Sequence, residues 1–225
     1  MFMSRMVLQR LPDGRLPPHA FPEGIYAAHK LLWSFFPGTP KGTPCPLHRF
    51  EAKPTPRFYV VSESGPADST GHWEVKSREY DPKLTAGDRL EFAVRVNPVV
   101  TRHDEQGRQK RHDVVMDAKK ALKKEGKERA EWPAPGEIWR QAVTAWLRAR
   151  CAKHGFDFRD EDIRVDGYMP TRMYKQPKPI QITTVEVSGV LTVTEPAVFR
   201  DLLLRGLGPA KGFGCGLMLV KRARS

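Results

Sequence analysis

The order in which hydrophobic periodicities follow one another limits this chain more than any single motif does. Alternation with period two marks a half-buried strand and a period near 3.6 marks an amphipathic helix. Here strand and helix signals succeed one another in the same order twice. Met1 to Arg10 sets Phe2, Ser4 and Met6 against Met3, Arg5 and Val7, which predicts a strand beginning almost at the first residue. Leu11 to Pro18 carries Pro12, Asp13-Gly14 and Pro17-Pro18 and reads as a turn. Pro22-Glu23-Gly24 then opens a helix to about Phe36, closed by Pro37-Gly38. On it Ile25, Ala28, Leu32 and Phe35 form a stripe for burial, and Tyr26, His29 and Trp33 form a second stripe at the edge of the core. Gly38 to Pro56 is rich in Pro and Gly and predicts a loop. Strands are expected over Arg57–Val61, His72–Arg78 and Arg89–Asn97. A helical turn within Asp81–Gly87 would complete a βαββαβ unit, the ferredoxin-like order, in which helices cover one face of an antiparallel sheet.

Turn signals and charge over Pro98–Gln109 place a boundary there, so the expectation is a first domain over residues 1–98, a linker over 99–109 and a second domain over 110–225. In the second domain Lys110–Met116 reads as the opening strand. A Lys-rich stretch, Lys119–Arg129, and a turn at Trp132–Gly136 precede an amphipathic helix over Glu137–His154, with Ile138, Ala142, Ala145, Trp146 and Ala149 on its apolar face. Ile163–Met173 and Ile180–Thr194 predict a long hairpin whose turn, Tyr174 to Pro179, is basic. Thr194 and Pro196 start a helix that buries Val198, Phe199, Leu202 and Leu203 and stops at Gly206, and Gly212–Lys221 supplies the last strand. The fold class is therefore α+β, two tandem ferredoxin-like domains of the RRM-like kind, although no residue-level repeat links the halves.

Composition narrows the function. The 225 residues carry 38 Lys and Arg against 26 Asp and Glu, a formal charge of +12, which points to a polyanionic partner. From Arg164 to Ser225 there are ten basic residues and four acidic ones, so half of the excess lies in the last 62 residues. A hydrophobic content of 40% argues against disorder. There is no uncharged apolar run of about 18 residues, and the start lacks the layout of a secretory signal, so a cytoplasmic protein without a membrane partner is expected. Three widely spaced cysteines, Cys45, Cys151 and Cys215, are expected to stay reduced.

Five glycines occupy the eleven positions from Gly206 to Gly216. Glycine lets backbone amides close on a phosphate and form anion-binding nests, and Lys211 would add a full charge. The segment leaves a helix and enters a strand and has no Gly-Lys-Ser/Thr, which sets it apart from nucleotide loops. Two readings stay open on these residues, an anion nest and a turn that packs helix closely on strand.

The ending G-L-G-P-A-K-G-F-G-C-G-L-M-L-V resembles the glycine-rich signature of the CRISPR-associated repeat endoribonucleases of the CasE type, from the type I-E Cascade complex. M-F-M-S-R-M-V-L is similar to that family's first strand and Y-A-A-H-K-L-L-W-S-F-F-P to its first helix. L-E-F-A-V-R-V-N-P-V, followed by Gly107 to His112, is similar to its interdomain strand and basic stretch. The resemblance spans essentially the whole chain, with Ser62–Gly71 and Lys119–Pro135 outside it. It implies a metal-independent endoribonuclease that binds the stem-loop of CRISPR precursor RNA and cuts at the base of the stem. It further implies that the enzyme keeps the mature crRNA within Cascade, beside other Cascade subunits, and needs no cofactor.

RNA cleaves itself when its 2′-oxygen is deprotonated and aligned with the adjacent phosphorus, giving a 2′,3′-cyclic phosphate and a 5′-hydroxyl. An enzyme then has to supply proton transfer and alignment, and imidazole, with a usual pKa of about 6.5, suits the first. By resemblance His29 is the general acid or base and Tyr26 orients ribose or phosphate. The two are three residues apart, so they share one helix face. Lys30 is a solvated lysine or a phosphate neutraliser. His19, in the Pro-rich turn, is the competing catalytic candidate. Stem binding falls to the hairpin residues Arg172, Lys175 and Lys178, to Gly208, Lys211, Gly212 and Gly214 of the glycine loop, and to Lys110 and Arg111. A thin basic hairpin suits the deep, narrow major groove of A-form RNA, where shape and phosphate contacts carry recognition. Two Cys-x-x-His pairs, Cys45/His48 and Cys151/His154, would offer a four-ligand zinc site, against which stands the metal-free chemistry of the family. A non-catalytic scaffold for the guide hairpin is the alternative function, because ferredoxin-like sheets also bind RNA without cutting it. No helix-turn-helix spacing supports a DNA-binding regulator.

Overall fold

The computed structural model describes residues 1–17, 20–40, 42–126, 128–175 and 178–224. The chain forms two compact units, residues 1–83 with 204–217, and residues 84–203 with 218–225. The break thus precedes the boundary read from the turn signals, and the glycine-rich segment belongs to the first unit.

The first unit contains β1 (Phe2–Leu8), α1 (Gly24–Ser34), β2 (Leu47–Glu51), β3 (Arg57–Ser62) and β4 (Trp73–Glu79). All neighbours in its sheet are antiparallel, in the order β2-β3-β1-β4, the arrangement of a ferredoxin-like sheet. Met6 and Leu8 of β1, Phe58 and Val60 of β3 and Trp73 of β4 share one face, and α1 covers it with Ala28, Leu32 and the following Phe35. Phe35, Phe58 and Trp73 meet edge-on or tilted with centroids 5.5–6.2 Å apart. Burying a side chain such as Leu32, fully out of water, contributes about 1.5–3 kcal/mol. The helical stripe fits the expectation except at Ile25, which is only half buried.

Three expectations for this half fail. Residues 81–87 have no helix and end in a turn at Ala86-Gly87, and 63–72 between β3 and β4 is also without a helix. β2 lies inside the stretch expected to be loop. The strand over Arg89–Val96, expected to close this sheet, belongs to the other unit.

That strand, β5 (Arg89–Val96), is the first of the second sheet and buries Leu90, Phe92, Val94 and Val96 on one side. β10 (Lys178–Val193) pairs with it along Val185–Thr192, and β11 (Met218–Arg222) pairs along its other edge. β9 (Ile163–Lys175) adds to the far side of β10, with a register shift between Thr184 and Glu186. β11-β5-β10-β9 is again the ferredoxin-like order, and two-residue β8 (Phe156–Asp157) pairs with the end of β10. α3 (Pro135–Arg148) and α5 (Pro196–Arg205) are the helices of this repeat. α3 buries Ile138, Val143, Trp146 and Leu147, whereas Ala145 and Ala149, expected on the apolar face, are exposed. The helix expected to run to His154 ends at Arg148, and a separate turn of helix, α4 (Cys151–His154), follows. α5 buries Phe199, Leu202 and Leu203 and leaves Val198 exposed.

The expected linker and first strand of the second domain are a two-stranded ribbon instead, β6 (Val99–His103) against β7 (Gln109–Asp113). Asp104 closes its turn by accepting from the amides of Gln106 and Arg108 at 3.0 and 2.9 Å. Asp113 then caps α2 (Val114–Lys124), accepting from the amides of Val115 and Met116 at 2.9 and 3.0 Å. Lys119–Lys124 of the Lys-rich stretch is the second half of that helix. Among the described residues no helix is long and apolar enough to cross a membrane.

Candidate active site

α1 begins at Gly24, directly after Pro22-Glu23, and its first two turns carry Tyr26 and His29. Three residues of helix bring the two rings parallel, with an interplanar angle of 19° and centroids 6.4 Å apart. Trp33, one turn on, meets His29 edge-on at 6.3 Å. Tyr26 is 42% exposed and His29 half buried, so the second stripe sits at the core edge as its spacing requires. Lys30 lies over the Tyr26 ring, its Nζ 5.1 Å from the centroid, so its charge is held beside the pair. His19 lies outside the described residues.

The glycine-rich segment packs on α1 and β2. After Gly206 and Gly208 it makes a 3-10 turn over Lys211–Phe213, flanked by left-handed Ala210 and Gly214. This turn puts Phe213 against His29, with ring centroids 5.7 Å apart. A Cβ on Gly212 would sit 3.8 Å from Cε1 of His29 and 3.8 Å from Cβ of Cys45, so the backbone passes close beside the imidazole. Gly214 is buried against His48. Gly206 lies so near Leu47 that a Cβ would come within 2.5 Å of its Cδ1. Close packing, one of the two readings open for this segment, therefore describes Gly206 and Gly214. Gly208, Lys211 and Gly212 are half exposed. Burial, and then the charge of Arg205, holds the Lys211 ammonium below the usual lysine value. Lys211 also lines, with Arg205, Trp33 and Phe36, a cleft of about 770 Å³.

The third layer around His29 comes from the segment entering β2. Cys45 Sγ is 3.7 Å from His29 Nδ1 and 4.0 Å from His48 Nδ1, and His48 Nδ1 is 3.0 Å from the carbonyl oxygen of Pro46. Burial pushes the Cys45 thiol up to about 11, so it remains S–H. Phe213 and Cys45 escaped the sequence reading as neighbours of His29 because each arrives from another part of the chain. Cys151, the other half of the proposed zinc set, belongs to the second unit. Among the described residues no group of three or more His, Cys, Asp or Glu is placed to hold a metal ion.

In the second unit, β9 and β10 run on past the sheet. β10 pairs with β5 only from Val185, so Lys178–Thr184 is paired with β9 alone and forms a two-stranded extension. Exposed Arg172 lies opposite Gln181 on it, and Lys175 faces Lys178 in register at its end. Gln176 and Pro177, the tip, lie outside the described residues. On the β6–β7 ribbon Lys110 is exposed and paired with Asp104 at 3.1 Å, and Arg111 is exposed opposite Thr101.

Known proteins are similar to this chain along its length. The CasE subunit of the Cascade CRISPR system from Escherichia coli K12 is 29% identical over 221 residues, covering 97% of this chain and 98% of its own. The CRISPR-associated endoribonuclease Cse3 of Thermus thermophilus is 26% identical over 229 residues, covering 97% of this chain and 86% of the relative. Among solved structures, Thermus thermophilus Cse3 bound to an RNA representing a pre-cleavage complex superposes with a TM-score of 0.67 at 23% identity, covering 98% of each chain. The tandem ferredoxin-like order is thus shared along the full length. With residues 1–222 matching the family described as CRISPR associated protein, the chain belongs to that family as a CasE-type member.

Proposed function

We propose that this protein is an endoribonuclease that processes CRISPR precursor RNA. It binds the repeat stem-loop, cuts at the base of the stem and retains the mature crRNA among the other Cascade subunits in the cytoplasm. The observation that carries this reading is the site on α1, where His29 contacts both Tyr26 and Phe213 and Lys30 lies over the Tyr26 ring.

The chemistry uses the substrate's own 2′-oxygen as nucleophile. As the O2′–P bond forms and the P–O5′ bond breaks, one proton leaves the 2′-hydroxyl and one reaches the 5′-oxygen, and His29 takes part in one of these transfers. Tyr26, exposed and one turn before it, positions ribose or phosphate. Lys30 places positive charge next to the pair, where negative charge grows on the phosphorane oxygens. Metal is not required by this route, since proton transfer and in-line alignment are what the residues supply.

Binding falls to the basic extension of β9 and β10, where Arg172, Lys175 and Lys178 lie on a two-stranded element thin enough for an A-form groove. Lys211 with Gly208 and Gly212, and Lys110 with Arg111, provide further phosphate contacts. Gly214 contributes by packing.

Incubation with the cognate repeat RNA in chelator tests the assignment. Wild-type protein cuts once per repeat, His29→Ala loses on the order of a hundredfold or more in rate, and Tyr26→Ala loses less. Unchanged cutting by His29→Ala rules out the catalytic role. Tight binding without cutting by wild-type protein would make it a scaffold for the guide hairpin.

A further inference from the structure

The first unit puts a thiol between two imidazoles, and the geometry fixes which nitrogen of His48 carries hydrogen. Pro46 offers His48 Nδ1 a carbonyl oxygen at 3.0 Å, and a carbonyl only accepts. His48 Nδ1 therefore carries hydrogen. The same nitrogen is 4.0 Å from Cys45 Sγ and, carrying hydrogen, cannot accept the S–H. Burial pushes the thiol up to about 11 and so keeps it protonated. Among the described residues the remaining partner of Sγ is His29 Nδ1 at 3.7 Å, which offers a lone pair for the S–H when its hydrogen is on Nε2.

We infer that Cys45 is a positioning residue that fixes the tautomer of His29 by donating its S–H to His29 Nδ1. This rests on the reading of His29 as the proton-transfer group and decides which transfer it makes. With Nδ1 occupied by the thiol hydrogen, neutral His29 carries its own hydrogen on Nε2, and substrate meets a donor there. Neutral His29 then has no lone pair on Nε2 with which to take the 2′-hydroxyl proton, so the transfer open to that nitrogen is donation of Nε2–H from the imidazolium. On protonation the ring keeps Nε2–H and gains Nδ1–H, which donates to Sγ as the thiol hydrogen rotates away. The Nε2 proton then passes to the 5′-oxygen as P–O5′ breaks and O2′–P forms, while the 2′-hydroxyl proton goes to water. Sulfur holds the resulting Nδ1–H ring until a proton from water restores it. A second imidazole contact, Phe213, packs the ring but offers no hydrogen bond, so it cannot select the tautomer.

Long-range ¹⁵N–¹H spectra of the intact protein without RNA read the tautomer directly. Wild-type neutral His29 is expected as Nε2–H. Cys45→Ala should move it toward Nδ1–H or a mixture, and Cys45→Ser, which can donate in the same sense, should restore part of the Nε2–H form. Cleavage by Cys45→Ala should fall on the order of fivefold, the worth of one ordinary hydrogen bond, with RNA affinity unchanged and partial rescue by Cys45→Ser. Wild-type His29 found as Nδ1–H overturns the proposal, as does an unshifted tautomer in both variants or wild-type cleavage by Cys45→Ala with a shifted one. His29→Ala that still cleaves would remove the catalytic reading itself, while the spectra would still decide whether the thiol sets the tautomer.

Discussion

Gly216→Ala separates the two readings of the glycine-rich segment. Gly216 has φ +91°, and a Cβ there would lie 2.8 Å from the carbonyl oxygen of Leu207 and 3.2 Å from its nitrogen. Those are backbone atoms that cannot rotate away. The Leu207 amide donates to the Gly216 oxygen at 2.9 Å, so displacing Leu207 also breaks the bond that closes the loop. A side chain at this φ costs about 1–2 kcal/mol and a lost hydrogen bond about 1 kcal/mol more. The variant should lose about 2–3 kcal/mol, equivalent to a fall in Tm of roughly 5–10 °C. Gly212→Ala is the control. Its Cβ would meet Cys45 and His29 at 3.8 Å, ordinary contact, and its backbone is not left-handed, so stability should hold within about 0.5 kcal/mol. Urea unfolding followed by tryptophan fluorescence measures both. Gly216→Ala as stable as wild type, or Gly212→Ala equally destabilised, would refute the packing argument.

Two further outcomes follow from the second unit. Burial and then the nearby Asp113 carboxylate, to which its hydroxyl donates at 3.1 Å, push Tyr168 up to about 12. A raised folded pKa means that the stability it contributes is fully present below about 10 and is lost as pH rises through about 12. Absorbance titration at 295 nm should show a late tyrosine phase that Tyr168→Phe removes, and a titration complete near 10 would contradict it. Arg172→Ala should weaken repeat RNA binding and reduce the dependence of log affinity on log salt by about one contact. An unaltered slope removes Arg172 from the phosphate contacts.

The sequence was most legible where periodicity is local. β1, α1, β3, β4, β9, β10 and α5 were read within a few residues, because each carries its own alternation or helical stripe. β2 was hidden, since Leu47–Glu51 is five residues long between Pro46 and Pro54 and is a strand chiefly because β3 pairs with it. β5 was recognised as a strand but given to the wrong sheet, because its partners Val185–Thr192 and Met218–Arg222 lie about a hundred residues away. The β6–β7 ribbon was divided between a linker, which took in β6, and the opening strand of the second domain, which took in most of β7, because its charged turn carries boundary signals. At the site, Tyr26 and His29 were legible as a helical pair. Phe213 and Cys45 were not, because contact with His29 is made by the fold of the first unit and leaves no spacing in the sequence.

The central claim is that His29 promotes attack by the substrate's 2′-oxygen. Mass spectrometry of products from a repeat RNA and from the same RNA with a single 2′-deoxy nucleotide at the cut, both in chelator, tests it most directly. The account predicts a 2′,3′-cyclic phosphate and a 5′-hydroxyl from the first, and intact RNA that still binds from the second. Cleavage of the deoxy substrate, or a 5′-phosphate on the product of the first, would contradict it.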